Sequence, residues 1–235
     1  MKMLGLIGGM SWDSTAVYYR LINQFIRERM GGLHSAKLLL HSFDFQEIAD
    51  LQAASNWPAA TDKMIKAACI LKSGGAEGLV ICTNTMHKMA GEIEQAAQIP
   101  VLHIVDATAK EIKKQRLGTV GLLGTCFTME QPFYRGRLEA NHGLKVLVPD
   151  REDRQEVHRV IFEELCRGIV HPASKKRFQA VIGKLLSRGA EGVILGCTEI
   201  GMLVNSPDVS APVFDTTLIH AQDATDFALA ADVHV

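Results

Sequence analysis

The chain has 235 residues, 47% hydrophobic and 22% charged, which is enough for one large core or two compact ones and too apolar for a disordered chain. Its 25 basic and 26 acidic residues give a formal charge of -1, and no basic run follows a phosphate backbone, so nucleic acid is not an expected partner. No stretch nears the roughly 18 apolar residues of a membrane helix, and the apolar start Met3–Ile7 meets Gly8-Gly9 without a signal-peptide core; no membrane is expected, and the cytoplasm is the expected compartment.

In chain order, a branched apolar run at Met3–Ile7 predicts a strand, and helical spacing follows over Ser14–Arg29, with Val17, Leu21 and Phe25 on one face. A strand is predicted at Lys37–Phe43, a helix over Pro58–Leu71 and a strand at Gly78–Cys82. Further strands are predicted at Val101–Val105, Thr119–Leu123 and Leu144–Val148, then helices over Gln155–Cys166 and Lys176–Ser187, then strands at Gly192–Leu195 and Val213–Phe214. Continuous apolar strands alternating with helices indicate a mainly parallel sheet covered on both faces.

Three segments of the first half recur in order in the second. LGLIGG from Leu4 returns as VGLLGT from Val120, an offset of 116. LKSGGAEGLVICTNT from Leu71 returns as LLSRGAEGVILGCTE from Leu185, an offset of 114, with six identities in fifteen positions. PVLHIVDAT from Pro100 returns in part as PVFDTT from Pro212, an offset of 112. Three collinear matches predict two similar α/β domains, each a mainly parallel sheet flanked by helices, related by a pseudo-two-fold with the active site in the cleft between them. The expected domains are 1–113 and 114–235, with the last helix, about 216–231, able to pack back on the first domain.

Ligands of open α/β sheets bind beyond the carboxyl ends of the strands, where four polar turns fall: Gly8-Gly9-Met10-Ser11, Thr83-Asn84-Thr85, Gly124-Thr125 and Cys197-Thr198-Glu199. Hydroxyls, amides and free N–H groups suit an anionic group such as an α-carboxylate, whereas no GxGxxG or P-loop pattern favours phosphate. Cys197 stands at a predicted strand-to-helix turn. A helix N-terminus there would lower its thiol from the usual value of about 8.5 and supply a thiolate base. Cys69, Cys166 and Cys126 read as structural. With five cysteines and no CxxC pair, neither a disulfide framework nor a metal is expected. His87 could orient a base or a ligand, and Glu199 could receive a substrate ammonium or hold the thiol's surroundings; His34, His41 and His103 carry no spacing signal.

At these residues the sequence resembles the aspartate/glutamate racemase family, its amino-acid racemase branch in particular, through GLIGGMSWDST, the GGLHSA and DF segments up to Phe45, ICTNTMH, LLGT, MEQPFYRGRL, FEEL and GCTEI. The resemblance implies pyridoxal-independent racemisation of a small amino acid, with no cofactor, usually in a homodimer. In that family a cysteine from each half serves one face of the substrate Cα. The chain departs from this pattern: the family's Cys-Asn-Thr reads Thr83-Asn84-Thr85, with Cys82 one residue early, and strand alternation turns Cys82 the other way unless the register shifts. Carried over by residue, the resemblance implies Cys197 as the base facing the L enantiomer and Thr83 at the second base's position. It also implies that Asn84, Thr85, Thr125 and Thr198 hold the α-carboxylate and amino group, with Met10 and Ser11 lining the same site; Cys82 and His87 are the alternatives for the second base or its orientation. An acidic side chain calls for Arg or Lys. Asp44–Ala60 contains neither, while Arg135, Arg151, Arg154 and Arg167 read as solvated. The expected function is racemisation of L-aspartate or L-glutamate; a single-thiol malonate-type decarboxylase and a non-catalytic amino-acid-binding protein are the alternatives.

Overall fold

The computed structural model describes residues 1–230, so the ends of the expected last helix at 231 and second domain at 235 lie outside the described residues. The chain forms two compact units, Met1–His103 with the segment from His220, and Ile104–Ile219.

In the first unit β1 (Leu4–Gly8) leads into α1 (Trp12–Met30), β2 (Leu38–Ser42), α2 (Phe45–Ala53), α3 (Trp57–Ser73), β3 (Gly78–Ile81), a short 3-10 helix Thr85–Met89 and α4 (Ala90–Ala97). Its parallel sheet has the order β2-β1-β3. In the second, α5 (Ile104–Lys114) precedes β4 (Thr119–Gly124), α6 (Cys126–Glu130), α7 (Pro132–His142), β5 (Lys145–Leu147), α8 (Arg151–Glu163), α9 (Pro172–Ser187), β6 (Gly192–Gly196) and β7 (Val213–Asp215). This sheet is also parallel, in the order β5-β4-β6-β7. The first three strands of each unit are therefore laid down in the same pattern. The closing helix α10 (Thr216–Leu229) starts in the second unit and from His220 belongs to the first. Among the described residues no helix is long and apolar enough to cross a membrane.

The recurring residues have matching jobs. Glu77 Oε1 accepts the Met3 N–H at 2.8 Å, and the Glu77 N–H donates to the Met3 carbonyl at 2.8 Å. Glu191 Oε2 accepts the N–H groups of Gly118 and Thr119 at 2.8 and 2.6 Å, and the Glu191 N–H donates to the Thr119 carbonyl at 2.8 Å. Each glutamate thus fastens the start of its sheet's central strand. Gly75 and Gly189 precede them with φ of 99° and 97°, a region that side chains other than glycine rarely adopt. Leu71 and Leu185 are buried in their respective cores.

Two expectations are corrected. Val101–Val105 is not a strand: Val101 makes one isolated bridge to Leu79, and α5 begins at Ile104. Ile104, Val105, Thr108, Ala109 and Ile112 are buried at helical spacing, so the run's last two residues open a helix, while its start lies extended along β3, with the Leu79 N–H donating to the Pro100 carbonyl and the Leu102 N–H to the Leu79 carbonyl. The division falls at 103/104 and not at 113/114, because Ile104, Val105, Ala109 and Ile112 pack with Val120 and Leu122. The first unit's core is completed from the far end of the chain, where Ala221, Ala224 and Ala228 of α10 join Leu4, Leu6, Tyr18 and Ile22.

Candidate active site

The first unit presents two of the four turns. Beyond β1, the Gly9 N–H donates to Thr15 Oγ1 at 2.8 Å, and that hydroxyl donates to the Ser11 carbonyl at 2.8 Å. Ser11 caps α1 by accepting the Ser14 N–H at 3.3 Å. Ser14 Oγ in turn lies 3.2 Å from the Cys82 carbonyl, so the start of α1 is tied to the ends of both β1 and β3. Met10 and Ser11 are each 3% exposed.

Beyond β3, Thr83 is half-buried while Asn84 and Thr85 are buried. The carbonyl of Thr83 accepts a hydrogen bond from His87 Nδ1 at 2.8 Å. His87 is itself buried, and burial, then the neighbouring His103 and His220, hold its pKa well below the ordinary histidine value. His87 is therefore a neutral tether. Cys82 lies in the apolar core with Tyr18, Ile22 and Ala221, and burial pushes its thiol strongly up. Its setting is that of a packed apolar residue.

The second unit presents the other two turns. Thr125 caps α6, its Oγ1 accepting the Thr128 N–H at 3.3 Å, and the Cys126 N–H donates to His158 Nδ1 at 3.2 Å. A side chain at Gly124 would meet the Gly196 carbonyl at 2.8 Å, and one at Gly196 would meet the Leu123 carbonyl at 2.8 Å. Glycine at both positions lets the ends of β4 and β6 lie together, so that the Thr125 and Cys197 turns emerge side by side.

Cys197 follows β6 directly and is half-buried, beside the buried Glu199. Its Sγ lies 3.0 Å from Glu199 Oε2, and Thr198 Oγ1 donates to the same oxygen at 2.6 Å. The expected helix N-terminus is absent: the turn passes into a three-residue 3-10 segment, Ile200–Met202. Without a helix dipole, burial and then the Glu199 carboxylate raise the Cys197 thiol well above its ordinary range. The helix N-terminus on which a thiolate was expected is thus missing, and Cys197 Sγ is placed to donate a hydrogen bond to Glu199 Oε2. The glutamate is the hydrogen-bond partner of the sulfur.

Sequence reading missed Tyr18 and His220, which reach the Thr83 turn only through the fold. Arg135 pairs with Glu139 at 2.8 Å and Arg154 with Glu130 at 2.8 Å. In the segment Asp44–Ala60, Gln52 is buried with its amide donating to Met86 Sδ at 3.2 Å. Among the described residues no group of His, Cys, Asp or Glu could hold a metal ion.

A family profile described as Asp/Glu/Hydantoin racemase matches residues 7–224. A candidate Asp/Glu racemase of Yersinia pestis, known from its crystal structure, is 56% identical, with a TM-score of 0.92 over 98% of this chain and 100% of that one. An aspartate racemase homologue of Pyrococcus horikoshii is 35% identical, with a TM-score of 0.84 over 98% of this chain and 100% of that one. The broad specificity amino-acid racemase RacX of Bacillus subtilis is 26% identical, covering 97% of this chain and 99% of its own. The chain thus belongs to the Asp/Glu/hydantoin racemase family.

Proposed function

We propose that the protein is a cofactor-independent amino-acid racemase acting on L-aspartate or L-glutamate, with Cys197 as its main base. The observation that carries this reading is the thiol at the end of β6, hydrogen-bonded to a buried carboxylate at 3.0 Å. Binding alone needs no such pair. Substrate binding brings an ammonium, which, held nearer the sulfur than the carboxylate, favours moving the thiol proton to Glu199 and leaving a thiolate. The thiolate then takes the Cα proton, forming S–H as the Cα–H bond breaks, and the backbone N–H groups and hydroxyls of the turns stabilise the charge that develops on the carboxylate. Asn84, Thr85, Thr125 and Thr198 bind the α-carboxylate and amino group, with Met10 and Ser11 beside them. Thr83 serves the second proton position. Its hydroxyl is too weak an acid to ionise usefully and acts by relaying a proton.

The test is an NMR measurement in deuterated water of Cα proton exchange in L- and D-aspartate and glutamate, with no added cofactor. Exchange in an L substrate is the expected result. Binding without exchange, or loss of CO2 from a malonate-type acid in its place, would overturn the assignment.

Two variants probe the roles. Glu199→Gln removes the charge that helps raise the thiol, so alkylation of Cys197 at pH 8 should speed up, while proton exchange should slow by roughly 10²-fold for want of a proton acceptor. Parallel changes in the two rates would count against the relay. Thr83→Cys supplies a second thiol and should raise D-substrate exchange more than L-substrate exchange, toward the roughly 10²-fold scale of general-base contributions. In the wild type, exchange of the L substrate should run ahead of net conversion. Cys82→Ala should leave the D-to-L ratio unchanged; a loss of D exchange there would make Cys82 the second base.

A further inference from the structure

Three imidazoles and a phenol meet beneath the Thr83 turn. The rings of His87 and His103 have centroids 4.9 Å apart at an interplanar angle of 54°, and those of His87 and His220 lie 5.4 Å apart at 66°. Tyr18 meets His220 edge-on at 5.5 Å. His220 has no exposed surface, and both of its ring nitrogens are engaged. Nε2 lies 2.6 Å from the Leu102 carbonyl, which can only accept, so Nε2 carries the hydrogen. Nδ1 then holds a lone pair and accepts from the Tyr18 hydroxyl at 2.8 Å. His87 Nδ1 faces the Thr83 carbonyl at 2.8 Å, and the Leu102 carbonyl neighbours both His87 and His220.

This fixes more than the rings. The Leu102 N–H donates to the Leu79 carbonyl at 2.9 Å, so the group that receives His220 is anchored to β3. His220 is locked from two sides by α1 and by Leu102, and its ring bears on His87. His87 in turn holds the peptide joining Thr83 to Asn84. None of these contacts is needed to fill space, since an apolar side chain of similar volume such as leucine would fill it without making them. What the polar pairs add is orientation.

We propose that His220 is a positioning residue for the Thr83 turn, acting through His87, with Tyr18 setting the His220 tautomer. The proposal rests on the racemase reading, in which Thr83 serves the second proton position. Its distinguishing consequence is directional. Loosening this stack disturbs the Thr83 turn and leaves the Cys197–Glu199 pair untouched, so it slows the D-side proton transfer selectively.

The experiment compares His220→Phe, Tyr18→Phe and His220→Gln. It measures Cα exchange of L and D substrates, thermal midpoints, and the backbone amide shifts of Thr83, Asn84 and Thr85 in isotopically labelled protein. His220→Phe and Tyr18→Phe should lower D exchange by roughly tenfold or more, as misplacement of a reacting group does, with L exchange held within about twofold of wild type. His220→Gln, whose amide can still donate toward Leu102, should recover most of the loss. The three amides should shift in the phenylalanine variants and return in the glutamine variant. Should His220→Phe fail to fold, Tyr18→Phe carries the test. Equal falls in both exchange rates that track a fall in thermal midpoint would overturn the proposal, as would unchanged amides at the turn. If the wild type exchanges neither enantiomer, the racemase reading fails, and the amide shifts still decide whether His220 positions the turn.

Discussion

Replacing Cys197 by alanine should lower Cα exchange in an L-amino acid by roughly 10² to 10⁴-fold, the usual scale of a general base, while the thermal midpoint stays near that of the wild type. The sulfur follows directly on β6 and is only half-buried, so its loss opens little of the core. Cys197→Ser should fare no better, because a hydroxyl beside Glu199 is still harder to ionise than the thiol. Alkylation should inactivate in the same way and slow when substrate is present. An alanine variant of undiminished exchange rate would remove the thiol from the mechanism. Label recovered on Cys126, with Cys197 unmodified in the inactivated protein, would do the same.

The second large effect is on stability, and it lies on the acid side. Burial holds His220 at about 4, and burial with its histidine neighbours holds His87 well below its ordinary value. Unfolding frees both rings to titrate near 6.5. Between these values the unfolded chain binds more protons, so stability rises with pH across the window. The contribution is fully present above about pH 6.5 and is lost as pH falls through about 4. For His220 alone the difference corresponds to about 3 kcal/mol, a large share of a typical domain's net stability. Urea unfolding midpoints from pH 7 to 4 should therefore fall more steeply in the wild type than in His220→Gln, which has no ring to protonate. Parallel curves would show that the buried imidazole does not drive the acid sensitivity.

Much of this architecture was legible in the sequence because the chain repeats itself. Ala76-Glu77-Gly78 and Ala190-Glu191-Gly192 recur because the same glutamate fastens the same strand twice, and the glycines before them recur because both turns need the same positive φ. The four polar turns were legible for a similar reason, since parallel strands present their carboxyl ends to ligands. What escaped was whatever depends on residues distant in sequence. The Val101–Val105 run is short enough to read as either a strand or the start of a helix, and only the packing of Ile104 and Val105 decided it. The state of Cys197 depended on whether a helix followed, and on a carboxylate whose side chain turns back toward the sulfur. His220 lies more than a hundred residues from the turn it supports.

The exchange of closing helices has a consequence during synthesis. α5 follows the first half's last segment yet packs with the second unit, and α10 follows the second half's last segment yet from His220 onward packs with the first. The second unit's sheet and its α5 are synthesised before the residues that close the first unit's core. Although translated earliest, the first unit must wait for Ala221, Ala224 and Ala228 to emerge before the faces of β1 and α1 are covered. Maturation of the turns bearing Thr83 and Ser11 is thereby deferred until the chain's last helix is free, and a released chain truncated near residue 215 would carry every strand of the second sheet and a first unit with its apolar side open to chaperones.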